Sequence, residues 1–198
     1  MKKRLISLNF ITTSLLIVLV ISSRLLTSTY GFTPMLAAGI FGGALFMKKK
    51  WALIIPIAAI WLSDLFINNT IYAHLNEGFV FFYPGWYWQY AVYALIPLLS
   101  IVLFKDKINL SKIAGMSVAS PVLFFTITNF GAWLTSGLYP ITMEGLGTCF
   151  LLALPFFKGY FIGTVVYSTV LFGTYYLIEQ RSILSVESKF SKKLFSNI

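Results

Sequence analysis

The chain has 198 residues, of which 58% are hydrophobic and 11% charged, and it carries a net charge of +9. A soluble domain of this size needs a charged surface, and so few charges cannot cover one. The positive excess does not point to nucleic acid, because the basic residues lie in short clusters between apolar blocks, where the cytoplasmic loops of membrane proteins carry them.

Six apolar blocks follow one another, at residues 5–23, 32–47, 51–67, 87–104, 113–133 and 159–178. Their lengths approach or match the roughly 17–25 residues that cross a hydrocarbon core of ~30 Å. The expectation is an all-α polytopic membrane protein: one transmembrane domain over residues 1–181 and a basic cytoplasmic tail over 182–198. The first block follows Lys2, Lys3 and Arg4, as in a signal peptide. No A-x-A-like site ends the run and it is long enough to span, so it reads as a retained helix.

The second block opens with Phe32-Thr-Pro and contains Gly39, Gly42 and Gly43. Pro34 suits the first turn of a helix. Gly39 with Gly43, and Ala38 with Gly42, form small-xxx-small pairs that let helices approach closely. Packing within the chain is the favoured reading of this face, with dimerisation the alternative.

The third block holds Asp64, the one acidic residue inside an apolar run. An intramembrane carboxylate is costly and is a functional candidate by default; the plain alternative is a solvated or capping role at the outer interface. The aromatic stretch 68–86 follows, longer than a turn needs to be. It reads either as an interfacial belt or as a lid over a pocket. His74, the only histidine, lacks the acidic or cysteine neighbours of a metal site.

The fifth block carries Asn129 late in its run, at a depth similar to Asp64 once the chain direction is allowed for. The two could face one cavity, or Asn129 could simply bond a neighbouring helix. Residues 142–154 suggest a separate short helix, interfacial or re-entrant. Cys149 is the only cysteine, which excludes an intrachain disulfide.

Thirteen of the fifteen Lys and Arg residues fall before block one, between blocks two and three, between four and five, and after six. Only Arg24 and Lys158 fall elsewhere. Six spans put every cluster on one side, which the positive-inside rule makes cytoplasmic. No nucleotide-binding, zinc-protease or nucleophile-elbow motif is present, and no cofactor is expected. An enzyme is therefore the least favoured class.

The strings Phe32-Thr-Pro, Phe41-Gly-Gly-Ala, Ser63-Asp, Phe82-Tyr-Pro-Gly, Thr128-Asn-Phe-Gly-Ala-Trp, Tyr139-Pro and Leu154-Pro-Phe-Phe resemble an uncharacterised bacterial family of small membrane proteins that carry a provisional transport label. The layout also resembles the S components of energy-coupling-factor vitamin transporters. That likeness implies an outward-facing ligand pocket built from Asp64, Asn68, Tyr83, Trp86, Asn129, Trp133, Tyr139 and Glu144. Block one contains no alanine, unlike the Ala-xxx-Ala face by which S components meet their membrane partner, which argues against a shared energising module. The expected partners are the bilayer and a small molecule. The alternative is an accessory subunit of a larger membrane complex, with the glycine face of block two as its interface.

Overall fold

The computed structural model describes the backbone of residues 2–26, 31–46 and 49–195, and the side chains of residues 10–24, 31–46 and 50–180. The basic side chains of Lys2, Lys3, Arg4, Lys48, Lys49, Arg181, Lys189, Lys192 and Lys193, on which the orientation reading rests, lie outside the described residues. The described chain is all-helical, with no strand: α1 (Lys2–Ser22), α2 (Met35–Leu45), α3 (Lys49–Asn69), α4 (Trp86–Leu103), α5 (Leu110–Thr135) and α6 (Met143–Phe195), with 3-10 turns at Ser23–Leu26 and Ala73–Leu75.

Four of these helices are long and apolar enough to cross a membrane, over Lys50–Asn69, Trp86–Leu103, Leu110–Thr135 and Met143–Gln180. Phe10–Ser22 and Met35–Leu45 are shorter apolar helices. The chain is thus a helical protein suited to a membrane, with four candidate spans and two shorter apolar elements.

The organising element is α2. It touches all five other helices, which form a closed ring around it in the order α1, α3, α4, α5, α6. A helix that is apolar all round must be buried all round. Every residue of α2 from Met35 to Gly43 is buried. The ring presents the reverse pattern, with Leu19, Leu62, Val102, Leu151 and Leu177 exposed on its outside. So large an apolar surface suits lipid contact.

The glycines of α2 allow the close approach. A Cβ on Gly43 would lie 2.5 Å from both the Pro97 carbonyl oxygen and the Ser100 Cβ of α4. One on Gly42 would lie 3.1 Å from the Pro56 ring of α3, and one on Gly39 would lie 3.3 Å from the Pro97 ring. The small-residue face is therefore buried inside the chain, against two proline-containing helices.

Two local readings change. Pro34 stands at the cap of α2 rather than in its first turn. Residues 142–154 do not form a separate helix: α6 is continuous from Met143 and carries Pro155 inside it. Proline removes one ladder bond and ends a helix only when packing does not hold the two halves together. Here Phe125 of α5 contacts Phe150 before the proline and Phe157 after it, at ring separations of 5.4 and 5.0 Å. The same helix runs on through the segment read as a tail, as far as Phe195.

Candidate functional site

Asp64 sits in the C-terminal half of α3 and is only 4% exposed. A buried carboxylate needs a charge partner and filled lone pairs. Arg24, in the 3-10 turn after α1, forms an ion pair with Asp64 Oδ1. The same guanidinium nitrogen donates to Ser63 Oγ at 3.0 Å. Tyr90 of α4 donates its hydroxyl to Asp64 Oδ2 at 2.8 Å. One carboxylate thus joins α1, α3 and α4. Tyr83, in the loop before α4, lies close enough that burial first, and then the Asp64 carboxylate, push its phenol above its ordinary range.

The loop between α3 and α4 is held by side-chain amides. Asn69 pairs with Val80 in both directions, donating to its carbonyl at 2.8 Å and accepting from its N–H at 2.7 Å. Asn68 donates to the Asp64 carbonyl at 2.8 Å, and its own carbonyl accepts from Asn76 at 3.2 Å. Phe82 stacks on Trp86 at 4.2 Å. Asn68 thus fixes the loop, while Trp86 faces a groove of about 510 Å³ between α3 and α4.

Asn129 lies elsewhere. It lines a cavity of about 210 Å³ bounded by α4, α5 and α6, together with Gln89, Thr128, Phe124, Phe156 and Tyr160. Asp64 lines neither this cavity nor the groove. Asn129 donates its Nδ2 to the Phe125 carbonyl at 2.7 Å, which leaves its Oδ1 free to accept. Among the described residues the Gln89 side-chain amide has no hydrogen-bond partner. A half-buried space with unused amide groups and four aromatic rings, Phe125 being the fourth, suits a small, flat, uncharged molecule with a polar edge.

The remaining candidates form a third group. Trp133 donates its indole N–H to the Pro140 carbonyl at 3.0 Å, which ties the end of α5 to the loop before α6. Tyr139 is part of that loop, and Glu144 is exposed in the first turn of α6. The Cys149 thiol donates to the Asn129 carbonyl at 3.4 Å. No group of three or more metal-ligating side chains occurs among the described residues.

Sequence reasoning missed Arg24, Tyr90, Gln89 and Tyr160 as site residues. Two of them carried a signal. Arg24 is one of only two basic residues outside the clusters, and Gln89 is an amide within an apolar block.

A family model described as a family of unknown function (DUF6580) matches residues 5–188. The chain belongs to this family. The DUF6580 match covers the ring, the central helix and both spaces described above. Its description assigns no activity, so it carries neither a transport label nor a likeness to S components. No curated protein and no solved structure matches the chain.

Proposed function

We propose that this chain is a six-span protein of the bacterial cytoplasmic membrane, with both termini in the cytoplasm, and that it takes up a small solute of vitamin or cofactor-precursor type through an outward-facing pocket. The observation that carries the reading is the α4–α5–α6 cavity, where Gln89 and Asn129 hold unused hydrogen-bonding groups among aromatic rings. Both amides are half-buried, and hydrogen-bonding groups left unused where little water reaches them cost free energy unless something else satisfies them. A bound solute does so.

The six-span topology rests on α2 crossing. Its 11 residues measure only about 16 Å along the axis. Residues 31–34 add at most about 13 Å before it, so the two together approach the ~30 Å hydrocarbon core. Non-helical backbone at that depth needs protein around it. It has that shelter: a Cβ on Gly31 would lie 2.5 Å from the Phe156 carbonyl, and one on Gly163 would lie 2.9 Å from the Thr33 nitrogen. With α2 crossing, the basic clusters all fall on one side, which the positive-inside rule makes cytoplasmic.

The accessory-subunit alternative drew on the glycine face of α2. That face is buried against α3 and α4, so it offers nothing to a partner.

Thermal-shift screening of the purified protein in mild detergent tests the proposal. At least one neutral, flat vitamin or precursor should raise the melting temperature, and Asn129→Leu should remove the rise. Stabilisation by none of them would count against uptake and return weight to an accessory role.

A further inference from the structure

The groove and the cavity are joined by a row of aromatic rings. Phe82 stacks on Trp86 at 4.2 Å, Trp86 meets Tyr90 at 5.5 Å, and Tyr90 meets Tyr93 at 5.8 Å. Tyr93 in turn stacks on Phe124 at 5.5 Å, and Phe124 meets Tyr160 at 4.6 Å. The first three rings line the groove, and the last two line the cavity. Leu53, Ile57 and Trp61 form the α3 side of the groove and run from near the start of the candidate span Lys50–Asn69 to just past its midpoint. A groove with such walls at that depth opens to hydrocarbon, not to water.

Tyr90 stands between the two spaces. Its ring walls the groove, and its hydroxyl is held by Asp64 Oδ2 at 2.8 Å. Gln89, the residue before it, lines the cavity. In this row only the Tyr93 ring lies between Tyr90 of the groove and Phe124 of the cavity. The charges of Arg24 and Asp64 lie beside this path and line neither end. A charged solute would find no partner along the row of rings and would lose its hydration there. A planar apolar molecule meets aromatic faces throughout.

We infer that the solute is a planar, largely apolar compound with one polar edge, dissolved in the bilayer, which enters sideways through the α3–α4 groove and passes Tyr90 into the cavity. This inference rests on the solute-binding reading above, adds the substrate class, and places the entrance at the α3–α4 groove in place of an opening to the outside. Tyr90 is a positioning residue: the Asp64 carboxylate latches it, and its release sets the rate of entry.

The test uses the full chain in phosphatidylcholine nanodiscs, with 2-naphthol as a fluorescent planar probe followed by stopped flow. Ala58 and Ile54 are exposed and line the groove, so Ala58→Phe and Ile54→Phe narrow it with little effect on the core. Both variants should slow association and dissociation together, by about tenfold, as expected when a gate is obstructed. Tyr90→Phe frees the latch and should speed both rates several-fold. Gln89→Leu should weaken affinity about tenfold, mainly through dissociation, because it removes a hydrogen bond in the cavity. Wild-type rates in both groove variants, with affinity still lost in Gln89→Leu, would overturn lateral entry and leave the binding site standing. Absence of saturable probe binding to the wild type would overturn the substrate class, with solute binding itself then judged by the vitamin screen.

Discussion

Arg24→Met would leave the Asp64 carboxylate inside the bundle without its cation. Asp64 is 4% exposed and the Arg24 side chain 24% exposed. Removing one member of a buried pair costs about 3–5 kcal/mol. The Tyr90 hydroxyl still serves Oδ2, and the Arg24 side chain is only partly buried, so the loss belongs near the lower limit, about 3 kcal/mol. For a chain of this size that corresponds to a fall of roughly 6–12 °C in melting temperature. Tyr90→Phe removes one hydrogen bond to a charged group and should cost less, about 1.5–2 kcal/mol. The double variant Arg24→Met/Asp64→Leu removes both charges and should return to within about 1 kcal/mol of wild type, because apolar residues of similar size replace buried pairs well. Thermal melting followed by tryptophan fluorescence in mild detergent reads all four proteins. If Arg24→Met melted within about 2 °C of wild type, or the double variant were as unstable as Arg24→Met, the ion pair would not be the clasp described here.

The glycines give a prediction of opposite signs. Gly43→Ala places a methyl 2.5 Å from α4 backbone and should cost about 1–3 kcal/mol by overpacking. Gly115 and Gly173 have no neighbouring atom within 4 Å of such a methyl, so alanine there should be neutral or stabilise by up to about 1 kcal/mol; the same melting assay ranks the three. Asn109 caps α5 by accepting from the Lys112 N–H at 2.9 Å, and Asn109→Ala should lower stability by about 1 kcal/mol. For topology, single cysteines replace Gly78 and Asp106 in a Cys149→Ala background. In intact cells an impermeant maleimide should label position 78 and leave position 106 unlabelled; the reverse pattern would invert the orientation.

The fold was legible where the signal is composition along a helix. Blocks three, four and five coincide with α3, α4 and α5 to within three residues at each end, because a long apolar run in a chain with few charges has one stable form in a bilayer. The central position of α2 was half legible. Its all-round apolar character indicates burial, but nothing local reveals that the short helix Met35–Leu45 would be ringed by five others. Pro155 misled, since the rings of Phe150 and Phe157 that brace it act through α5 and not through neighbours in sequence.

The site was legible residue by residue but not in its grouping. Asp64 and Asn129 stand out as polar residues in apolar blocks, and their similar depth suggests a shared cavity. Depth follows from position along a helix, whereas azimuth around a bundle depends on which helices are neighbours. The ring order places α3 and α5 on either side of α4, so the carboxylate meets Arg24 and Tyr90, and the amide meets Gln89. Arg24 could have been paired with Asp64 from the sequence alone, as a cation outside the basic clusters and the one acidic residue within an apolar block.

The central claim is that the cavity bounded by Gln89, Asn129 and Tyr160 holds a small solute. The most direct measurement is mass spectrometry of the compounds released on denaturing protein purified from rich medium, comparing wild type with Gln89→Leu/Asn129→Leu and with Arg24→Met/Asp64→Leu. One flat, uncharged compound should be retained by the wild type and by the charge-free double variant, and be absent from the cavity double variant. Equal retention by the cavity variant, or retention lost only when the ion pair is removed, would contradict the claim.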